Sequence, residues 1–355
     1  MKFIQKKKNQ SPPFREDLGG LKFLIIRFSS IGDIVLTTPV VRCLRKKFPD
    51  AQIHYLTKQS FASIVLTNPY INKVHVLKDD LDAMIEELKN ENFNYIIDLH
   101  HNLRTLRIKQ ALKKIRSFSF DKLNIQKWVF VNFKMNIMPH VHIVDRYMET
   151  VKSLDVVNDG LGLDYFIHDK DVVAQKDIPV SHLHGYIGLV IGAAHNTKKL
   201  PIHKLKELCA KINHPIILLG GKEDYSNAVH ISAVDPVKIY NACGKFNLAE
   251  SADLVRRAKL IISHDTGLMH IAAAFKKDII SVWGNTVPSF GMYPYQTRYE
   301  VFDVKKLWCR PCSKIGYDKC PLGHFKCMEK ISIDDIVDHV NILLNRDPIA
   351  IGLGR

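Results

Sequence analysis

Residues 1–20 contain no apolar stretch of the kind that opens a secretion signal; the segment is polar and carries Lys6-Lys7-Lys8 and Pro12-Pro13. No later apolar run reaches the roughly 20 residues that cross a bilayer. A cytoplasmic protein is expected, touching a membrane only peripherally, at its inner face and through basic surface. Acids are scarce beside bases: 36 Asp and Glu against 51 Lys and Arg, a net charge of +15. Such an excess selects acidic company, whether nucleic acid, an anionic membrane or a phosphorylated substrate. Aromatic residues make up only 9% of the chain and do not interleave with the basic clusters at 42–47 and 104–116. Without that interleaving or a recognition motif, a nucleic-acid partner is not expected. The three-glycine fingerprint of dinucleotide sites is missing too. The first strand-end loop, Phe28-Ser29-Ser30-Ile31-Gly32-Asp33, has Gly32 alone, which argues against a nicotinamide or flavin cofactor. No short repeat and no low-complexity tract occurs.

What is present is enough apolar material for two cores: 46% of 355 residues. The first half alternates strands (22–28, 52–56, 73–77, 95–99, 116–120) with amphipathic helices (34–48, 81–89, 142–154). Pro39 falls where the first helix kinks or begins. Residues 155–184 are polar and irregular. The second half repeats the rhythm: strands at 186–191, 216–219, 238–241, 260–263 and 278–282, and helices at 201–212, 248–258, 268–275 and 333–344. Asn247 and Glu250 stand at capping-box spacing. Alternation of this kind implies an α/β protein with doubly wound parallel sheets, whose ligands sit at the carboxyl ends of the strands. The expected divisions are a disordered basic tail (1–20), one domain over 21–178, a second over 179–332, and a C-terminal helix and tail (333–355).

Four strand-end turns carry the chemistry. In 258–275 an apolar run ends in Asp265-Thr266-Gly267, and a helix starts at Leu268. The first free N–H groups of such a helix converge on one spot and carry the positive end of its dipole, which suits a phosphate. Alternatively Asp265 or Thr266 merely caps the helix. The loop after the first strand delivers Asp33, either a cap or a general base beside a hydroxyl. Gly192-Ala193-Ala194-His195 leads to Lys198-Lys199-Leu200-Pro201, where a lysine can pair with a diphosphate or simply be solvated. Gly220-Gly221-Lys222-Glu223 places an acid where ribose hydroxyls are bound in nucleotide sheets, or where a helix is capped. His270, one turn into its helix, either faces the ligand or fills a polar gap. Together the turns suggest a nucleoside diphosphate held by the second domain and an acceptor activated by the first.

These residues resemble glycosyltransferase family 9, the ADP-heptose:lipopolysaccharide heptosyltransferases. Ser29-Ser30-Ile31-Gly32-Asp33-Ile34-Val35-Leu36-Thr37-Thr38-Pro39 is similar to the family's N-terminal signature, and Asp265-Thr266-Gly267-Leu268-Met269-His270 to its donor motif. Lys198-Lys199-Leu200-Pro201 resembles its Lys-x-Trp-Pro element, with Leu200 in place of Trp, and Gly221-Lys222-Glu223 its ribose turn. The resemblance covers residues 21 to about 340. It implies a GT-B fold, two Rossmann-like domains facing across a cleft, and transfer of a heptose from ADP-heptose, with inversion, to a lipid-A/core oligosaccharide acceptor at the inner membrane. On that resemblance Asp33 is the catalytic base, Lys198 acts at the donor phosphates, Glu223 contacts the ribose, and Asp265, Thr266, Gly267, Leu268 and His270 bind donor with Gly192 and Gly221. Ser30, Gly32 and the strand-end residues His100, His101, Asn102 and Arg104 form the candidate acceptor surface, unless 98–104 is a plain polar turn. No Asp-x-Asp motif lies in these loops, so no cofactor is expected for catalysis. An epimerase of similar build would lack the Ser-Ser-Ile-Gly-Asp loop.

Four of seven cysteines, Cys309, Cys312, Cys320 and Cys327, crowd one loop around His324. Cys309-Arg310-Pro311-Cys312 has zinc-knuckle spacing, which Cys320 and Cys327 do not repeat. A structural zinc, free thiols and a disulfide are the readings left open.

Overall fold

The computed structural model describes residues 20–345. Apart from Gly20, the expected basic tail lies outside the described residues, as does the end of the C-terminal tail. In chain order the first domain runs β1 (Lys22–Ile26), α1 (Ile31–Val35), α2 (Thr38–Lys47), β2 (Gln52–Lys58), α3 (Ser63–Leu66), β3 (Lys73–Leu77), α4 (Leu81–Lys89), β4 (Tyr95–Asp98), α5 (Leu103–Ala111), β5 (Arg116–Ser119), α6 (Asn124–Phe133) and α7 (Ile143–Glu149). The second runs β6 (Ile187–Val190), α8 (Ile202–Lys211), β7 (Ile216–Leu219), α9 (Tyr225–Ser232), β8 (Ile239–Asn241), α10 (Leu248–Arg257), β9 (Leu260–His264), α11 (Gly267–Ala274), β10 (Asp278–Trp283), β11 (Tyr299–Asp303), α12 (Lys326–Glu329) and α13 (Ile333–Leu344).

The two sheets are ordered β3-β2-β1-β4-β5 and β11-β10-β9-β6-β7-β8. Every strand pair in them is parallel. The inner strands β1, β6, β7 and β9 read as apolar runs rather than alternating ones, because helices cover both faces of such sheets. The stretch expected as one helix over 34–48 is two. Thr37 interrupts it, and Pro39 sits in the first turn of α2, where its missing N–H costs no bond. Helices α5, α6 and α9 and the edge strand β11 escape the periodicity: none presents the unbroken apolar stripe or run that the pattern search relies on. Helix α13 packs on α8, and its Ile333, Ile336 and Val340 join Leu205, Leu208 and Cys209 in the second domain's core.

One apolar core crosses from domain to domain. It joins Ile34, Val35 and Leu36 to Met269, Ile271, Ala272 and Ala273. Helices α1 and α11 meet end to end there. A Cβ on Gly32 would fall 2.5 Å from His270 Cδ2, and one on Gly267 would fall 2.7 Å from Ile31 Cβ. Only glycine permits backbones this close. Gly267→Ala is therefore expected to push the helices apart and destabilise the chain by roughly 1–3 kcal/mol. Urea denaturation checks this, and an unchanged midpoint would mean that the contact yields at no cost.

Candidate functional site

The carboxyl ends of β1, β6, β7, β9 and β10 each release one loop toward the junction of the two sheets, as parallel sheets dictate. After β1, Ser30 caps α1 and Asp33 occupies its first turn. Asp33 Oδ2 accepts from the Ser30 amide (3.1 Å) and the Ser30 hydroxyl (2.7 Å), and Oδ1 pairs with Arg27 Nη2 at 2.6 Å. Burial alone would raise this carboxyl. The Arg27 guanidinium and the Ser30 bonds outweigh burial and hold it below its ordinary value. Arg27 is itself fixed by the carbonyls of Ser29 (2.7 Å) and Leu99 (2.6 Å). Asp33 is thus an ionised carboxylate in a rigid frame.

After β9, the turn does not cap its helix with side chains. Asp265 Oδ2 accepts from Lys198 Nζ at 2.6 Å and from Thr286 Oγ1 at 2.9 Å, and Thr266 makes no capping bond. The first N–H groups of α11, at Gly267 and Leu268, are thus uncapped by side chains, an arrangement that suits an anion. His270 is buried beneath them. Burial drives its imidazole down to about 4 against the pull of Asp265 and Asp33, so it is neutral at pH 7. Its nearness to Asp33, Asp265 and Lys198 together makes it the bridge between the two halves of the site.

After β6 and β7 the turns interlock. Asp224 Oδ1 takes Lys199 Nζ at 2.8 Å and Oδ2 takes the Gly221 amide at 3.0 Å. A Cβ on Gly192 would collide with Asp224 Oδ2 at 2.3 Å. Glu223, by contrast, is exposed. Leu200, standing where the resemblance has Trp, is buried, and its amide donates to His264 Nε2 at 2.9 Å. Sequence reasoning missed Asp224, Lys199 and the loop after β10. In that loop Asn285 is 1% exposed, and both its amide atoms lack a partner. A buried amide with four open bonding sites points to a ligand. The signal was available in Gly284-Asn285-Thr286, a small polar turn after an apolar strand.

The acceptor candidates separate. His100 lies against Phe28, ring centroids 4.9 Å apart, with Nδ1 buried and unpartnered. Burial first, then Arg27 and Lys122, lower its imidazole to about 4. His101 is tied back by its amide to Asp98 (2.7 Å) and by Nδ1 to the Phe120 carbonyl (3.0 Å). Asn102 is engaged in capping α5, accepting from the Thr105 amide at 3.0 Å, and Arg104 is exposed on the first turn of that helix. The structure adds cations that periodicity did not reveal. Arg146 on α7 is 7% exposed, and its Nε and Nη1 have no partner. Lys122 and, on α6, Lys127 feel both Asp33 and their fellow cations; burial and then Arg146 bring Lys127 down to about 8.

The structure does not support the zinc reading of the cysteine loop: among the described residues no three of its ligand atoms gather within 4.8 Å. Cys309 Sγ lies 3.8 Å from His324 Nε2, and all seven cysteines are free. Among the described residues the one group whose ligand atoms gather within 4.8 Å is His54, His75 and Glu91. Those atoms already satisfy each other: His54 Nδ1 and His75 Nε2 are 3.0 Å apart, and His75 Nδ1 meets Glu87 at 2.6 Å. Asp80-Leu81-Asp82 is also spent, with Asp80 capping α4 and Asp82 paired to Arg107. No described helix is long and apolar enough to cross a membrane.

Solved structures share this architecture. The family 9 glycosyl transferase from Veillonella parvula superposes with a TM-score of 0.74 at 20% identity, over 92% of this chain and 98% of that one. The E. coli heptosyltransferase WaaC with ADP-2-deoxy-2-fluoro heptose gives 0.65 at 20% identity, over 91% and 99%. The fold is therefore GT-B. The chain belongs to glycosyltransferase family 9 (heptosyltransferase), whose model matches residues 81–321. Lipopolysaccharide heptosyltransferase 1 of Campylobacter coli is 27% identical over 296 residues, covering 76% of this chain and 85% of that protein.

The Arg27–Asp33 pair yields a test. Asp33's folded value lies below its unfolded one, so the pair stabilises the fold above the unfolded carboxylate value and loses that effect as pH falls through the folded value. Arg27→Met should cost roughly 3 kcal/mol at pH 7. The deficit should shrink in acid, where Asp33 is protonated in the variant. Denaturation midpoints at pH 7 and pH 4 measure it, and a deficit equal at both would show that packing, not charge, holds Arg27.

Proposed function

We propose that this enzyme transfers a heptose, or a closely related sugar, from ADP-heptose to a lipopolysaccharide-core acceptor, inverting the anomeric carbon, with Asp33 as general base. The observation that carries this reading is the meeting of an ionised carboxylate with an uncapped helix N-terminus at the Gly32–Gly267 contact. The relatives' names point to the same donor and acceptor, and a relative of the same fold has been solved with an ADP-heptose analogue.

In this reading the second domain, 179–332, holds the donor. The amides of Gly267 and Leu268 and the ammonium of Lys198 receive the diphosphate. Glu223 takes the ribose hydroxyls beside Gly221, Gly192 leaves room for Asp224 to brace that turn, and Asn285 offers its two open bonding atoms. The first domain, 21–178, presents the acceptor hydroxyl to Asp33 between Ser30, Gly32 and His100. As the acceptor oxygen bonds to the anomeric carbon, its proton passes to Asp33 and the bond from that carbon to the phosphate oxygen breaks. Negative charge grows on ADP as it leaves. Lys198 and the α11 amides stabilise it, each well-aimed donor being worth about 3 kcal/mol. With the charge neutralised in this way, no metal or cofactor is assigned a role. His270 stays neutral, so it does not offset the carboxylate. Arg146, Lys122 and Lys127, which lack acidic partners, suit a phosphate or carboxylate on the acceptor. We place the enzyme in the cytoplasm, at the inner face of the membrane where such acceptors are built.

The test is a product assay with ADP-heptose and a lipid-A-type acceptor. Asp33→Asn should bind ADP-heptose as the wild type does and transfer at least about 100-fold more slowly. Near-normal transfer would remove Asp33 from its role, and transfer from a UDP- or GDP-sugar instead would overturn the donor assignment. A second measurement follows from Lys127, whose ammonium loses its proton near pH 8. The KM for an anionic acceptor should rise above that pH, and Lys127→Met should flatten the rise. A profile identical in the two proteins would place the anion elsewhere.

A further inference from the structure

Helix α6 has ten residues, NIQKWVFVNF, and buries none of them. Its inward side is accounted for. Phe130 and Val131 pack on Leu123, Met138, Val287 and Phe290, and Lys127 is half-buried and feels the charge of Asp33. Helical geometry puts Ile125 opposite them, with Trp128 and Phe133 flanking it on either side. There they are 74%, 50% and 61% exposed, and the chain beyond continues with Met135 and Ile137 at 60% and 49%. Trp128 and Phe133 meet edge to face, 5.4 Å between ring centroids, so the apolar surface is one patch rather than scattered side chains. Large exposed patches of this kind mark an interaction.

The charge pattern says with what. No acid occurs between Asp121 and Asp145, whereas Lys122, Lys127 and Lys134 do. Lys134 Nζ also reaches the Pro311 carbonyl at 2.7 Å, which brings in the neighbouring loop with its Lys314 and exposed Ile315. An acid-free apolar face with the exposed Lys134 at its edge is the kind of surface that lies in the headgroup layer of an anionic membrane.

We infer that the outer face of α6 and the segment to Ile137 dock this enzyme on an anionic bilayer. The inference deepens the proposed function, since a lipid-linked acceptor requires such a surface. One face of α6 then lies in the membrane while the other packs, through Phe130 and Val131, on Val287 and Phe290 of the second domain.

Flotation of the full-length protein with vesicles tests the inference. Wild type should float with phosphatidylglycerol–phosphatidylethanolamine vesicles, less so in high salt, and not with phosphatidylcholine alone. The double variant Trp128→Ser, Phe133→Ser should lose roughly tenfold or more in partitioning. It should keep its melting temperature and its rate on a short water-soluble acceptor, and slow only on acceptor embedded in vesicles. Equal flotation of variant and wild type, or no flotation of wild type, overturns the proposal. So does a wild-type dimer in sedimentation that the double variant dissociates, since a second copy would then cover the face. Flotation is read without sugar transfer, so failure of the proposed reaction would leave this result standing by itself.

Discussion

Two glycines facing each other at the ends of two helices set the geometry on which the rest depends. Gly32 and Gly267 let α1 and α11 approach until a Cβ on either would overlap its neighbour. One core then runs through both domains, and the loop bearing Asp33 rests on the turn bearing Asp265. Had either position carried a side chain, the carboxylate and the helix amides would stand apart, and two separate loops would replace one site.

Around that contact the two sides treat charge differently. On the second-domain side each cation is held by an acid, Lys198 by Asp265 and Lys199 by Asp224. These pairs fix side chains in place before any ligand is considered, which is how binding geometry is made without later rearrangement. On the first-domain side Arg27 neutralises Asp33, but Arg146, Lys122 and Lys127 form no ion pair with an acid among the described residues, and burial weakens their hold on a proton. Buried cations without anions are costly to a fold. Their concentration beside one carboxylate is what an anionic substrate would offset.

The strand-end turns were legible because each follows an apolar run and ends in glycine or an acid, a local signal that survives without tertiary information. Asp33, Lys198, Asp265 and His270 were found that way, and the structure gathers them around one contact. At Asn102 the polar turn reads as a binding loop, and in the structure its side chain caps α5. The cysteine loop left zinc, thiol and disulfide readings open because spacing along the chain does not fix the distances between sulfur atoms. Helix α6 left no periodic stripe because one of its faces packs on the second domain and the other, equally apolar, faces outward.

The sequence by itself determined the alternation of strands and helices, hence two parallel sheets, and the chemical identity of the loops at their carboxyl ends. Both are properties of neighbouring residues, carried by periodicity and by turn chemistry. Only the tertiary structure decided that Arg27 balances Asp33, that Asp224 rather than Glu223 braces the turn after β7, and that Asn285 and Arg146 are buried with bonding atoms to spare. Those facts depend on which distant segments share a volume from which water is excluded, and burial of that kind is set by packing between elements that the chain order keeps far apart.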